Sequence, residues 1–192
     1  GIDQTLDLWR GLVNSRYALD GVPVKVRTVA DPSRALVAFS VRSSLLAAGS
    51  LKVAIRFPYA YDVAVKNKPP MLWGHPDVNK TTVLSREPQG VVLKRITDTS
   101  VYYVRVHWQG RARWISMENN AYLLDAGGGD SLVFSCQFSP TPFRDRAQSF
   151  ASTTAASDSS WRHYWTQGGA IDLSGSTDPR AGELERRIVL SQ

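Results

Sequence analysis

The side chains that could perform metal, nucleophilic or phosphate chemistry are few and widely spaced in this chain. Its three histidines, His75, His107 and His163, and its single Cys136 lack the close spacings, such as HxxxH or CxxC, through which proteins bind metals. The glycines at 127–129 are not followed by the Lys-Ser/Thr pair of a phosphate-binding loop, and no serine-nucleophile motif is present. The sequence therefore predicts no metal, no cofactor and no independent catalytic centre.

The acidic residues occupy positions that are typical of structural roles. Acid–base catalysis by carboxyl groups needs two of them at a matched separation in one site. Here the aspartates at 20, 31, 98 and 130 follow the pattern of turns, while Asp158 and Asp178 stand where helices would begin. We therefore assign a catalytic role to no residue of this chain.

Aromatic residues are the remaining candidates for a binding site. Residues 58–80 interrupt the strand pattern with four prolines and carry Tyr59, Tyr61, Trp73 and His75. A connection of this length is commonly functional, and its aromatic content argues against disorder. Because the faces of sugar rings are apolar while their rims are polar, such side chains suit carbohydrate. We take these four residues as a candidate carbohydrate-binding group.

The elements that would position these residues read mainly as β-strands. Apolar and polar residues alternate with period two along many short stretches separated by turn residues, and Asp20-Gly21 is a strong hairpin signal. The predicted strands are 6–19 (bent at Gly11), 22–27, 35–43, 51–57, a four-stranded meander at 81–86, 91–97, 101–108 and 111–117, then 122–124 and 131–138. This pattern predicts a large antiparallel β-sandwich.

Residues 145–157 are polar and rich in Ser, Thr and Ala, which indicates a helix or an ordered crossover, and the pattern changes to helical after residue 157. Asp158 or Ser159 would cap a short helix that places Trp161 and Trp165 on one face and ends at Gly168-Gly169. Asp178-Pro179 would open a second helix with an apolar stripe at Leu184 and Ile188. A helix this short is marginal alone, so we expect the chain to be part of a longer protein. We predict that Trp161, Trp165, Leu184 and Ile188 dock against another domain, and weigh sugar binding by the two tryptophans as the lesser alternative.

Charge and hydropathy limit the possible partners. The net charge is +6, from 23 basic and 17 acidic residues, but the basic residues are scattered singly or in pairs along the predicted strands. A nucleic-acid footprint needs a basic stripe, so we predict no nucleic-acid partner. No apolar run is long enough to cross a membrane, and we predict no membrane partner. Cys136 alone does not identify a compartment, and both an exported and a cytoplasmic location stay open.

The C-terminal stretch from residue 161 to residue 192 resembles a linker of known enzymes. The pattern Trp161-x-x-x-Trp165, Ala170-Ile171-Asp172-Leu173 and the helix ending Arg186-Arg187-Ile188-Val189-Leu190-Ser191-Gln192 are similar to the linker between the N-terminal β-sandwich and the (α/α)6 barrel of glycoside hydrolases like family 65 and its six-hairpin clan relatives. The stretches 6–11 and 51–59 resemble the sandwich of the same group. Asp7 and Asp172 lie in these stretches, but the family's catalytic groups belong to the barrel.

This resemblance implies a fold and a role. Residues 1–142 would form a super-β-sandwich and residues 143–192 a helical linker to an (α/α)6 catalytic domain of the same protein. The domain would brace the barrel of a glycoside hydrolase or phosphorylase, border its sugar site, and be inactive alone, with an oligosaccharide as a further partner. One alternative is a free-standing lectin-like sandwich. A second is a scaffold module in which a second chain covers the apolar residues of the helices.

Overall fold

The structure is a computed structural model that describes residues 1–59 and 79–191, and it shows a mainly-β fold with C-terminal helices. The strands are β1 (Asp3–Asp7), β2 (Leu12–Leu19), β3 (Val22–Ala30), β4 (Leu36–Arg42), β5 (Val53–Arg56), β6 (Asn79–Glu87), β7 (Gly90–Thr97), β8 (Ser100–Trp108), β9 (Arg113–Ser116), β10 (Ala121–Asp125) and β11 (Ser131–Ser139). The helices are α1 (Ser44–Ala47), α2 (Phe150–Tyr164), a π-helical turn (Trp165–Gly169) and α3 (Ala181–Ser191). The predicted fold class is confirmed.

Among the described strands all pairs are antiparallel, and these strands form two sheets. The larger sheet has eight strands in the order β1-β2-β3-β4-β11-β8-β7-β6, and the smaller has three in the order β5-β10-β9. Alternation along the strands turns one face of the larger sheet toward the smaller sheet, so the hydrophobic core lies between the two layers. The core residues with the least exposure are Val24, Leu93, Val106 and Leu124.

The hairpin predicted at Asp20-Gly21 is confirmed. Both residues have positive φ, 49° and 79°, as the two-residue turn between β2 and β3 requires. The single bent strand predicted for residues 6–19 is wrong, because β1 and β2 are two strands that pair with each other. Gly11, at φ 59°, ends the intervening turn, so the signal taken as a bend is a reversal of the chain.

The predicted meander is only partly correct. Strands β6, β7 and β8 are consecutive neighbours, but β9 pairs with β10 in the other sheet. This crossing brings Trp114 into the core, where its ring lies parallel to that of Trp108 and stacks on Tyr122 at 4.7 Å. Local alternation cannot distinguish the two arrangements, because β9 would bury one face in either sheet.

Arg95, near the end of β7, is a buried cation at the edge of the core. Arg95 is fully buried, and its guanidinium donates to Asn79, to Thr81 Oγ1 at 2.6 Å and to the Tyr102 hydroxyl at 3.3 Å. The Phe57 ring centroid lies 4.8 Å from its Cζ atom. These neutral acceptors and the aromatic face satisfy the guanidinium, which ties β6, β7 and β8 together.

The helices differ in how they are held. Helix α2 begins after Ser149, which caps the backbone N–H of Ser152, so the cap predicted at Asp158 or Ser159 is wrong and Asp158 lies within the helix. Phe150 packs on Leu12, Val29 and other residues of the outer face of the larger sheet. The predicted helix end is confirmed by Gly168, at φ 110°. No helix in the described ranges is long and apolar enough to cross a membrane.

Candidate functional site

Trp165 is the anchor that joins the helical segment to the β1–β2 turn. Its indole is 6% exposed, and its Nε1–H donates to the carbonyl oxygen of Leu8 at 2.6 Å. About two helical turns earlier, the Ser157 hydroxyl donates to the carbonyl oxygen of Arg10 at 2.9 Å. Asp158 adds an ion pair with the Arg10 guanidinium at 3.4 Å. The far end of α2 is therefore fixed to the chain's own sandwich.

Gly11 is required at this contact. A Cβ atom at residue 11 would lie 2.1 Å from Trp161 Nε1 and 2.7 Å from Ser157 Oγ, far inside van der Waals contact. Its φ of 59° is also a conformation that glycine adopts without steric cost. The backbone of the β1–β2 turn thus approaches α2 more closely than any side chain would allow.

The rings around Trp165 form a partly exposed surface, here called the aromatic surface, made of Trp9, Trp161 and Tyr164. The Trp9 and Trp161 ring centroids lie 6.2 Å and 6.0 Å from that of Trp165, and Tyr164 lies edge-on at 4.9 Å. Trp9 is 50% exposed and Trp161 is 37% exposed. The sequence prediction placed Trp161 and Trp165 on one face, but it treated both as outward-facing and did not assign Trp9. The turn reversal at Gly11 is what brings Trp9 to this surface.

Helix α3 presents the second apolar surface. Asp178 accepts from the backbone N–H of Arg180 at 2.9 Å and so caps the helix start, close to where the sequence predicted it. Leu184 is 53% exposed, Ile188 is half-buried, and no residue of the helix is fully buried. A hydrogen bond from the backbone N–H of Leu173 to Glu185, at 2.9 Å, connects the helix to the preceding segment. Its apolar stripe therefore has little packing within the described part of the chain.

The candidate carbohydrate-binding group falls largely outside the described residues. Tyr61, Trp73 and His75 lie in the range 60–78, of which the structure describes nothing, so their assignment stays a prediction. Tyr59 is described: its hydroxyl lies 2.8 Å from Asp98 Oδ1, at the β7–β8 turn. Asp98 is thus an acceptor for a tyrosine, in addition to being a turn residue with φ 52°.

The acidic residues with altered pKa hold turns and caps. The backbone N–H of Gly127 donates to Asp125 at 2.8 Å and lowers the pKa of that carboxyl, with Arg113 and Lys52 adding to the effect. Burial alone would raise the pKa of Asp31, but hydrogen bonds from Ser33 and Arg34 outweigh it and the pKa is lowered. In Asp172 and Asp178 a hydrogen bond within the turn has the same effect.

Cys136 and His107 lie on the neighbouring strands β11 and β8 but face opposite sides of the larger sheet, because Cys136 pairs with the buried Val106 and His107 pairs with Ser135. Burial raises the pKa of Cys136 to about 12, which keeps it a thiol at neutral pH. Burial also lowers the pKa of His107, with nearby Arg105 acting in the same direction against Glu87. Within residues 1–59 and 79–191, no three histidine, cysteine or acidic side chains are grouped as metal ligands.

Comparison with known proteins gives little similarity. No family model matches the sequence, and no curated protein matches it. Among solved structures, the chain is similar to one described as "Putative kojibiose phosphorylase from human microbiome", with a TM-score of 0.46 and 11% identity. The match covers 84% of this chain and 23% of that one, so this chain spans less than a quarter of that protein's length. A similarity of this degree identifies neither a family nor a function.

Proposed function

We propose that this chain is a non-catalytic β-sandwich domain of a carbohydrate-active enzyme, a glycoside hydrolase or glycoside phosphorylase, and that it braces an (α/α)6 catalytic domain. Residues 1–142 would be the sandwich and residues 143–192 the helical linker to that domain. The enzyme class rests on the resemblance of the linker and of the two sandwich stretches. The docking role rests on the surfaces that the helical segment exposes.

The observation that carries the docking role is the contrast between the two sides of the helical segment. Its inner side is fixed by Trp165 and Ser157 to the β1–β2 turn. Its outer side leaves Trp161 and Leu184 exposed by about one third and one half, and Trp9 of the adjoining β1–β2 turn is exposed to a similar extent. Exposed large apolar side chains of this kind are typical of a protein–protein contact. We take the catalytic domain as the partner that covers them.

The test measures both the glycosidic activity of the chain and its binding to the catalytic domain. The 192-residue chain is expected to show no glycoside hydrolysis or phosphorolysis. When it is expressed with the barrel domain as a separate chain, the two are expected to co-elute in size-exclusion chromatography. The double variant Leu184→Glu/Ile188→Glu is expected to weaken that complex at least about tenfold, because two buried aliphatic contacts are lost. The control Arg186→Glu/Arg187→Glu changes charge on the same helix outside the stripe.

Two results would contradict the proposal. Turnover of a glycoside by the 192-residue chain would show that catalysis resides in it. An open reading frame that encodes no further domain would leave the docking surfaces without the partner assigned here.

A free-standing carbohydrate-binding module is the second candidate, favoured by the exposed rings of Trp9 and Trp161. In that case Trp9→Ala and Trp161→Ala would each abolish quenching of tryptophan fluorescence by maltose. Their effect on docking would then be small. If the aromatic surface contacts the catalytic domain instead, maltose leaves the fluorescence unchanged and both variants weaken the complex.

A further inference from the structure

Four basic side chains that are scattered in the sequence lie together on the outer face of the larger sheet. Arg16 belongs to β2, Lys25 and Arg27 to β3, and Arg42 to β4, and all four are exposed. With Asn14, Ser40 and the adjoining backbone they line an open cleft of about 340 Å³. We call these four residues the basic cluster.

The strand register places these cations opposite one another. Arg16 pairs with Lys25 across β2 and β3, and Lys25 pairs with Arg42 across β3 and β4. In the next row, Arg27 stands between Asn14 and Ser40. Side chains directly opposite in an antiparallel pair have Cβ atoms about 4.5–5.5 Å apart, and like charges in that position destabilise the sheet. The row continues to Asp3 of β1, opposite Arg16, so three consecutive cations share one neighbouring carboxylate. Lys25 and Arg42 have no carboxylate opposite them in the row, and their repulsion favours binding of an anion.

Asp3 of β1 stands opposite Arg16 at the end of the row, but no ion pair joins it, or any other carboxylate of the described residues, to the basic cluster. The ion pairs between described residues use other arginines and lysines, at the β1–β2 turn, the small sheet, the segment before α2 and the helices. Among the described residues, Arg27 has an aromatic neighbour, since its Cζ lies 5.2 Å from the ring centroid of Phe150. Phe150 is the first residue of α2, whose N-terminal end carries partial positive charge.

We propose that the basic cluster binds an oxyanion, namely a phosphate group on a small molecule. Guanidinium groups donate paired hydrogen bonds that match the oxygens of phosphate, and the lysine adds a point charge. The Asn14 amide and the Ser40 hydroxyl provide neutral donors in the adjoining row. The chemistry accommodates both free inorganic phosphate and a phosphorylated sugar. This site is separate from the docking surfaces, and its test does not depend on the proposed function.

The dimensions favour a compact anion over a nucleic acid. The cluster spans three strands, which is about 10 Å across, and two rows, which are about 7 Å apart along the strands. That area accommodates one or two phosphate groups. A duplex, with one charge per about 1.7 Å of its axis, is bound by an extended basic stripe. The absence of a nucleic-acid partner therefore stays our prediction, although the fold brings together basic residues that lie far apart in the sequence.

The test is isothermal titration calorimetry on the full chain, at an ionic strength kept constant with sodium chloride. The probes are inorganic phosphate, glucose 6-phosphate and unphosphorylated glucose. The variant Arg16→Gln/Arg42→Gln removes two guanidinium groups from one row. The control Arg111→Gln/Arg144→Gln makes the same charge change at two exposed arginines outside the cluster.

We expect both phosphate probes to bind the wild-type chain and the control, and glucose to give no heat. Binding to the cluster variant should be about a hundredfold weaker, about tenfold for each charged hydrogen-bonding group removed. Without phosphate, the variant should melt no lower than the wild type, because repulsion within the row is relieved. Tighter binding of glucose 6-phosphate than of inorganic phosphate would identify a phosphorylated sugar as the ligand.

The proposal is overturned if neither phosphate probe binds, or if the cluster variant binds them as well as the control does. Tighter binding of a short DNA duplex than of either probe, lost in the same variant, would also overturn it. That result would make the cluster a contact for a nucleic-acid backbone.

Discussion

Asp125, at the end of β10, shows how a single carboxylate stabilises a turn. It accepts from Gly127 N–H at 2.8 Å and from Arg113 at 3.3 Å, and Lys52 lies 3.9 Å away. These contacts hold its pKa below the ordinary value. A depressed pKa means that the stabilisation is complete above the unfolded-state pKa, about 3.9, and is lost as the pH falls through the folded-state pKa.

We therefore expect Asp125→Asn to lower the free energy of unfolding by about 1–2 kcal/mol at neutral pH. The difference from the wild type should shrink as the pH falls below about 4, because the carboxyl is protonated first in the unfolded state and, at lower pH, in the folded state. Urea denaturation at a series of pH values measures both effects. Asp20→Asn, in an exposed turn, is the control for removing one negative charge. A difference that stays constant down to acidic pH would rule out the carboxylate as its source.

At the residue scale, the sequence predicts the role of a residue where that role depends only on its neighbours in the chain. Asp20-Gly21 forms its turn because the backbone conformation depends on those two residues alone. The burial of Arg95 could not be predicted, because a charged residue in an alternating strand is ordinarily exposed and its acceptors come from β6 and β8. Trp9 was missed for a related reason, since its ring neighbour Trp165 is 156 residues away in the sequence.

At the scale of elements, the contact between α2 and the β1–β2 turn depends on Gly11. Gly11→Ala would force a Cβ atom into Trp161 and place alanine at positive φ. Gly21 also has positive φ, but a Cβ atom there would meet no heavy atom within 4 Å. The two substitutions share the backbone cost, which is of order 1 kcal/mol, and only the first adds a steric clash.

We expect Gly11→Ala to destabilise the chain by about 1–3 kcal/mol more than Gly21→Ala does, because overpacking carries a cost of that order. Thermal unfolding measures both variants, and tryptophan fluorescence reports whether the Trp161–Trp165 pair becomes more exposed. Equal losses of stability in the two variants would show that α2 does not need the close approach.

Elements were predicted well where hydrophobic alternation or a turn signal is local. The hairpin, the β6-β7-β8 meander and the end of the helix at Gly168 followed from such signals. For the start of α2 the sequence left a helix and an ordered crossover open over residues 145–157, because the residues before Asp158 are mainly Ser, Thr and Ala, which show no apolar stripe. That part of the helix is held by Phe150 on the outer face of the sheet, a contact that appears only once the strand order is known.

At the scale of the whole molecule, the position of the basic cluster also depends on contacts between parts of the chain that are distant in sequence. A net charge of +6 spread along the sequence indicates no site. Antiparallel register converts positions 16, 25 and 42 into one row, because each pairing brings residues from separate strands opposite one another. Charge patterning along the chain therefore does not predict charge patterning on a sheet.

The whole molecule also divides into a packed body and a helix that adds little to it. Helix α2 contacts β3, β4 and β11, whereas α3 has no fully buried residue and is joined to the segment before it by the Leu173–Glu185 hydrogen bond. Stability is not uniform in such an arrangement, because a helix of 11 residues without a packed face is marginal in water. Helix α3 should therefore unfold locally while the two sheets stay folded.

We expect the backbone amides of α3 to exchange with deuterium far faster than those of α2, when both are measured by mass spectrometry on the intact chain. A chain that stops at Gly175 should keep the melting temperature of the full chain within about 2 °C, since few buried contacts are lost. A chain that stops at Gln148 is the comparison: it loses Phe150 and Trp165 and should melt well below both. If deletion of α3 lowers stability as much as deletion of α2 does, then α3 packs on the body and its apolar stripe is already covered. If α3 becomes protected from exchange only when the proposed catalytic domain is added, the stripe is the surface on which that domain docks.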